Sequence, residues 1–354
     1  MNEPYLRVIS APDADRRDLF AAAARRIGTA EQNVEKDFWV CWTLDALFHR
    51  LPSGGPRLLF KGGTSLSKAF GLIDRFSEDI DITVFRDDLG QGASLEDLER
   101  LTGKKRRARL DAIRDACRRY INEDLRSQLE SLAGDYPVAG GTPGAAVAVV
   151  PDENDADGQT LLVRYPSAVS NVAPYVQPSV RIEAGAKSAL DPNVATEIEP
   201  YVAVELAEGG LRVGNITTIE PRRTFWDKVV IVHGLRRCFE NRGELRQEGQ
   251  RVSRHYYDLH SLFKSHIGPT AIADTELGSE CVRHAKMFFD RAPFDLASAA
   301  PGTFAVAPPA GMLARLERDY DSMTGMIFGP VPAFSDVLDS LRELEERLNR
   351  AHSP

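Results

Sequence analysis

Between Leu58 and Phe85 the sequence runs LLFKGGTSLSKAFGLIDRFSEDIDITVF. An apolar run halts at the glycine pair Gly62–Gly63, which predicts a short buried strand ending in a turn. TSLSKAFGL then reads as the start of a helix, with Thr64 or Ser65 as its N-cap. In EDIDITVF, Asp79, Asp81 and Thr83 alternate with Ile80, Ile82 and Val84, the pattern of a half-buried strand. Strand, turn, helix and strand in so short a stretch restrict the chain to folds in which a helix lies against a sheet.

The flanking segments extend that picture. Residues 14–50 read as two helices, with Phe38, Trp42, Leu44, Leu47 and Phe48 near helical spacing. From Ser94 to about Leu132 the pattern is helical and highly charged. GDYPVAGGTPGAAVAVVPDENDADGQ reads as a loop or mobile hairpin. TLLVRYP, SVRIEAGAK and EIEPYVAVEL are strand candidates, and from Pro221 onward the chain reads as helical. There is no internal repeat and no sustained heptad pattern. The expected class is α+β: a mixed-sheet core over residues 50–220 with N-terminal helices, so that residues 1–220 form one domain and 221–354 a helical second one.

The 354 residues, 43% hydrophobic and 27% charged, are those of a globular protein with one large or two ordinary domains. Cys41, Cys117, Cys238 and Cys281 are dispersed and form no CxxC pair, which favours a reducing cytoplasm and disfavours a thiolate zinc site. MNEPYLRVISAPDADRR contains no apolar signal-peptide core, and no apolar run reaches membrane-spanning length, so no membrane partner is expected. The net charge of -8 argues against indiscriminate coating of nucleic acid but leaves room for a local basic patch.

Residues i and i+2 of a strand share a face, so Asp79 and Asp81 project together. Two adjacent carboxylates repel unless a cation lies between them, and Mg²⁺ accepts one or two carboxylates while filling its other positions with phosphate oxygens and water. A solvated Asp pair on a strand face is the simpler alternative. The turn beside it adds weight to the metal reading, because Gly62 and Gly63 admit close approach of a ligand and the amides of Thr64 and Ser65 would point outward from a helix start. An ordinary strand-to-helix turn also uses glycine, and the turn is not a Walker A loop.

FKGGTSLSKAFGLIDRFSEDIDI resembles the signature of the AbiEii/AbiGii toxin family of nucleotidyltransferases, within the DNA polymerase β-like superfamily. EKDFWV upstream and TFWDKVVIVHGL and SRHYYDLHSLF downstream extend the likeness over roughly residues 30–265. The resemblance implies a polymerase β-like nucleotidyltransferase core that moves a nucleoside monophosphate from an NTP to an acceptor, with Mg²⁺ or Mn²⁺ on Asp79 and Asp81 and the triphosphate at Gly62, Gly63, Thr64 and Ser65. It further implies a toxin of a type IV toxin–antitoxin or abortive-infection system, a cognate antitoxin, and tRNA or another RNA as acceptor. A protein or small-molecule acceptor, or a nucleotide-binding regulator without turnover, are the alternatives.

Other candidates follow. Glu183, on the polar side of SVRIEAGAK, suits a third carboxylate that helps deprotonate the acceptor; it equally suits a surface residue paired with Arg181 or Lys187. Lys228 falls on the flank of the seam made by Phe225, Val229 and Val232. It either extends along that seam to water or neutralises a triphosphate, and the resemblance implies the second. Asp258, also carried by the resemblance, could anchor Lys228, orient Arg254 or contact the nucleotide. Arg75 and Ser77 are expected to brace the turn before Asp79, with Arg75 also able to meet a phosphate; His233, His255 and His260 read as structural. Between Lys104 and Arg119 stand eight basic and two acidic residues. That run is either a solvated helix face or, beginning at Lys104, Lys105, Arg106 and Arg107, a track for an RNA backbone.

Overall fold

The two strands of the signature form and pair with each other. In the computed structural model, which describes residues 3–134, 147–169, 177–206, 210–245 and 251–350, β1 (Leu58–Lys61) lies antiparallel to β2 (Asp79–Val84), with Lys61 opposite Asp81. A mixed sheet grows from this pair. β3 (Ala148–Pro151), β4 (Thr160–Arg164), β5 (Ser179–Gly185), β6 (Asn193–Ile198) and β7 (Val213–Ile219) complete it in the order β3-β4-β5-β2-β1-β7-β6. β5 runs parallel to β2 and β7 parallel to β1.

The described chain divides into two units. The first holds the sheet and comprises Met1–Ala69, Phe76–Ser94 and Leu101–Thr218; the second comprises Phe70–Arg75, Leu95–Arg100 and Ile219–Pro354. The first unit carries α1 (Glu3–Ser10), α2 (Asp13–Ile27), α3 (Glu31–Asp45), α4 (Gly62–Lys68), α6 (Gly103–Arg119) and α7 (Arg126–Gly134). The second carries α5 (Leu95–Glu99), α8 (Pro221–Arg242), α9 (Ser253–Lys264), α10 (Ile267–Ala273), α11 (Thr275–Phe288), α12 (Ala310–Met323) and α13 (Phe334–Arg350). No helix among the described residues is long and apolar enough to cross a membrane, and the four cysteines are buried free thiols.

Helix α3 is the spine of the sheet unit. It packs on β2 and β5, and every residue from Asn33 to Asp45 is buried. Phe38 meets Tyr5 and Phe20 with ring centroids 5.3 and 6.0 Å apart, and Trp39 stacks on Tyr165 at 5.1 Å. One face of the sheet enters this core through Phe60, Ile80, Ile82, Val180 and Ile182. In the helical unit, α13 presents Val337, Leu341, Leu344 and Leu348 on one buried stripe, the 3.6-residue periodicity of an amphipathic helix.

Two sequence expectations are corrected, and one strand is added. Neither Thr64 nor Ser65 caps α4: the helix begins at Gly62 with Lys61 as N-cap, because Gly62 adopts φ +80° and turns the chain at once. EIEPYVAVEL is only half strand, since β6 ends at Ile198 and Pro200, which has no N–H to offer a ladder, opens a 3₁₀ turn over Tyr201–Glu205. Strand β7 was not foreseen. Asn215 sits at φ 51° and breaks the two-residue alternation, so its apolar residues fall at Val213, Ile216 and Ile219. Of the loop or hairpin expected over residues 134–159, residues 135–146 lie outside the described ones, Gly134 ends α7, and residues 148–159 form β3 and the turn of a β3–β4 hairpin, in agreement with the second alternative.

The alternation in β2 has a measurable consequence. Ile82→Ala empties part of a fully buried position and lowers unfolding stability by about 2–5 kcal/mol. Asp81→Asn, on the half-exposed face, changes it by less than about 1 kcal/mol. Urea titrations of the two variants, followed by tryptophan fluorescence, check the contrast.

Candidate active site

Asp79 and Asp81 stand on the sheet face opposite the core, half-exposed, with Arg181 and Glu183 beside them on β5 in register. Lys61 reaches Asp81 from β1, Nζ to Oδ1 at 3.8 Å. The close approach that the glycine pair suggested is found at Gly62. A β-carbon built on Gly62 would lie 2.0 Å from Asp81 Oδ2 and 2.7 Å from Cγ. Glycine is therefore required there twice over, for its left-handed backbone and for the space the carboxylate fills.

The hydroxyls of the turn face inward. Thr64, fully buried, bonds through Oγ1 to the Asp79 carbonyl and shares a 2.8 Å hydrogen bond with Ser77. Ser65 donates to the Gly62 carbonyl at 2.8 Å. Thr64 thus ties the start of α4 to the start of β2, and the groups left to meet a ligand at this turn are backbone amides.

Glu183 is the Cα partner of Asp81, and its carboxylate lies 3.0 Å from Arg181 Nε. Arg181 is held from its other side by buried Asp152 at 3.1 Å. Both sequence readings of Glu183 thus describe its position: beside the aspartate pair and paired with Arg181.

In the helical unit, Lys228, Asp258 and Arg75 form a buried triad. Asp258 is 0% exposed. It accepts from Lys228 Nζ at 2.7 Å and from Arg75 Nε and Nη2 at 2.6 and 2.8 Å. Burial alone would raise the Asp258 carboxyl, but Arg75 and then Lys228 outweigh it and hold the group far below the usual carboxylate range. Burial pulls Lys228 below its ordinary value, with Asp258 opposing and Arg75 adding to the shift. Lys228 therefore does not extend along the apolar seam to water, and Asp258 takes the first of its three sequence roles, as anchor. The side chain of Arg75 is directed to Asp258, while Ser77, named with it as bracing the turn, accepts from Thr64 at 2.8 Å. His233 bonds to Ala305 and His260 to Ser340 within the helical unit, as structural histidines do. His255 lies beside the triad, and burial, then Lys228 and Arg254, keep it well below its ordinary pKa.

The basic run forms α6. Lys104, Lys105 and Arg107 are exposed, while Arg106 donates to the Leu101 carbonyl at 3.3 Å. Arg109 binds Gln91 and the Gly92 carbonyl, Arg114 pairs with Asp111 and Asp115, and Arg118 with Asp115. The middle of the run is thus engaged locally, and solvent-facing charge sits in the first turn and again at Arg118 and Arg119 at the C-terminal end.

Sequence reasoning passed over Lys36, Asp37, Lys68 and Glu78, which form buried ion pairs behind the carboxylate face. All four lie in segments that carry the resemblance, and a further signal was the run of three consecutive charges, Glu35–Lys36–Asp37, inside an otherwise apolar helix.

Among the described residues no group of three or more His, Cys, Asp or Glu side chains is gathered as a metal cage. The sheet face offers a pair of carboxylates, all-oxygen donors, with Asp81 lying against the bare backbone of Gly62. That donor set suits a hard ion that takes one or two carboxylates and leaves its other positions to phosphate and water, as Mg²⁺ and Mn²⁺ do.

The sequence matches, over residues 45–340, the family described as nucleotidyl transferase AbiEii toxin, type IV TA system. Among solved structures, a similar one is MenT4, a nucleotidyltransferase toxin from Mycobacterium tuberculosis H37Rv. The two are 18% identical, the alignment covers 94% of this chain and 90% of that one, and the TM-score is 0.49. No curated protein matches the sequence significantly.

Asp258→Asn leaves two buried cations short of their counter-charge and costs about 3–5 kcal/mol, whereas Arg75→Met/Lys228→Met/Asp258→Leu recovers most of it. Because the folded pKa of Asp258 is depressed, its contribution is fully present above the unfolded value of about 3.9 and is lost as pH falls below that value. Lys228 stays protonated in both states at acid pH and adds no slope there. Denaturation curves between neutral pH and pH ~2 are therefore expected to show a shallower acid limb in Asp258→Asn than in the parent protein.

Proposed function

We propose, from the premise that this chain belongs to the AbiEii nucleotidyltransferase toxin family of type IV toxin–antitoxin systems, that it transfers a nucleoside monophosphate from an NTP to an acceptor hydroxyl, with the 3′ end of tRNA as the acceptor. In that reaction a bond forms between the acceptor oxygen and the α-phosphorus. The bond from that phosphorus to the oxygen bridging to the β-phosphorus breaks, and pyrophosphate leaves. The carrying observation is the contact of Gly62 with Asp81, which joins the turn and the aspartate pair into one oxygen-lined face.

In this reading Asp79 and Asp81 hold Mg²⁺ or Mn²⁺. The bound ion supplies positive charge to the phosphate oxygens and lowers the proton affinity of an attacking hydroxyl. The turn at Gly62–Ser65 contributes amides to the triphosphate. Glu183, one strand from Asp81, takes the proton of the acceptor hydroxyl. Lys228 offsets charge on the departing pyrophosphate. Its ammonium has three N–H donors and, among the described residues, one partner, Asp258. Asp258 and Arg75 hold it in place. The cognate antitoxin expected of a type IV system is the partner of this activity.

RNA as the acceptor is supported by the first turn of α6. That turn has no acidic residue and begins with Lys104, Lys105, Arg106 and Arg107. Cations at a helix N-terminus oppose its dipole, by about 0.3–1 kcal/mol each. A polyanion laid across them would offset that repulsion and release counterions.

Incubation with each labelled NTP, Mg²⁺ and total tRNA is expected to label RNA and release pyrophosphate, seen on a denaturing gel. Label in protein or in a small molecule instead would reassign the acceptor. Asp79→Ala and Asp81→Ala abolish labelling in folded protein, and Lys228→Met lowers turnover roughly 100-fold or more. Charge reversal at Lys104, Lys105, Arg106 and Arg107 weakens tRNA binding. It also lowers the slope of log affinity against log salt by roughly 0.7–0.9 for each lost phosphate contact, with NTP binding unchanged. An unaltered slope would make α6 a solvated face only.

A further inference from the structure

Three consecutive charged residues of α3 are buried, and each is bonded to a different segment. Glu35 accepts from Ser167 Oγ and from the Ala168 amide at 2.6 Å. Lys36 donates to Glu78 at 2.6 Å and reaches the Gln177 carbonyl at 3.4 Å. Asp37 accepts from Lys68 Nζ and from the Tyr201 amide, each at 2.7 Å. Successive helix residues point about 100° apart, so neighbours in sequence can hold neighbours in space that do not touch one another.

The segments held by Lys36 and Asp37 are those that carry the proposed chemistry. Glu78 directly precedes Asp79, at the start of β2. Gln177 lies just before β5, the strand of Arg181 and Glu183. Lys68 is the last residue of α4, whose first residue is Gly62. The covalent path from α4 to β2 runs through Phe70–Arg75, which belong to the helical unit. Within the sheet unit the turn and the aspartate strand meet through the β1–β2 ladder, the Lys61–Asp81 contact and the hydrogen bonds of Thr64; Lys36 and Asp37, adjacent on one helix, hold the far ends of the same two segments, the start of β2 and the end of α4.

The burial of these groups is costly in proportion to how little it is needed for packing. Lys36 and Glu78 are 5% and 8% exposed, and the Lys68 and Asp37 side chains 6% and 3%. Apolar pairs of the same volume hold a core as well or better, so ion pairs in such places act through geometry rather than through net stability. A charge pair fixes distance and direction where an apolar contact allows sliding. The Lys68 ammonium is fixed further by the Tyr201 ring, 3.8 Å from its centroid.

The geometry points to Lys36 and Asp37 as positioning residues that set the register of the Asp79–Asp81 carboxylates against Gly62. This rests on the reading of that face as the metal and nucleotide site. Neither residue touches the ligand; each acts through Glu78 or Lys68.

The test replaces each pair by neutral side chains in the full-length protein: Lys36→Met/Glu78→Gln, and independently Asp37→Asn/Lys68→Met. Thermal melting reports the fold, Mn²⁺ binding to the metal-free protein by electron paramagnetic resonance reports the carboxylates, and NTP transfer gives kcat and KM. The expected result is a melting temperature held within a few degrees, with Mn²⁺ affinity and kcat each lowered about 10–100-fold, the range seen when partners behind a metal site are lost. Glu35→Gln, on the same helix turn, removes an equally buried charge that holds only the segment at Ser167–Ala168. It is expected to lower the melting temperature without changing Mn²⁺ affinity. Paired variants that fold and bind Mn²⁺ like the parent would overturn the inference, and so would a Glu35→Gln protein as impaired in binding as they are. If one pair prevents folding, the other decides. Absence of any Asp81-dependent Mn²⁺ binding in the parent protein would remove the functional reading itself, an outcome distinct from unchanged binding in the variants.

Discussion

The Asp81 carboxylate occupies the volume that a β-carbon on residue 62 would need, and this steric fact organises the sheet unit. For the two to meet, β1 must end at Lys61 and turn within a single residue, and β2 must lie antiparallel to it with Asp81 opposite Lys61. The turn must then become a helix at once, which places Thr64 where its hydroxyl reaches the Asp79 carbonyl. Each aspartate is thereby contacted by the turn: Asp81 at its carboxylate, Asp79 at its backbone. The spacing of the signature is the length of chain that such an arrangement takes up, with a short helix and a return loop between its halves.

Both units bury charge, but in different ways. In α3 the charges lie behind the sheet, in discrete pairs that each join two segments of backbone. In the helical unit a single carboxylate serves two cations, Lys228 and Arg75, and the excess of positive charge there is also felt by His255. A discrete pair is neutral and insensitive to its surroundings. In the triad one buried carboxylate neutralises parts of two cations, so the removal of Asp258 alone leaves both without it.

Much of this was legible in the sequence where a regular period met an unusual residue. The alternation of Asp79, Asp81 and Thr83 with Ile80, Ile82 and Val84 placed β2 and its two faces. The glycine pair placed the end of β1, and the seam of Phe225, Val229 and Val232 placed Lys228 at its edge. The start of α4 was misread because Thr64 and Ser65 are favoured caps by residue type, whereas the backbone of Gly62 decides the matter. Strand β7 escaped because one left-handed asparagine, Asn215, spoils a period that is otherwise present. The partners of Arg75, Lys36 and Asp37 were beyond reach for a different reason. Ion pairing depends on which segments meet in space, and Arg75 and Asp258 are separated by 183 positions in the chain.

That separation has a consequence during synthesis. At roughly 5–20 residues per second, Arg75 leaves the ribosome on the order of ten to forty seconds before Asp258 follows it. For most of that interval Asp79 and Asp81 are already made while Lys228 is not, and Lys228 then precedes its counter-ion Asp258 by 30 residues. A nascent chain, or one released early by a stalled ribosome, thus carries the carboxylates but lacks the cationic half of the proposed chemistry. The buried triad of the helical unit is thus assembled only after Asp258 has been made, with 258 of the 354 residues synthesised.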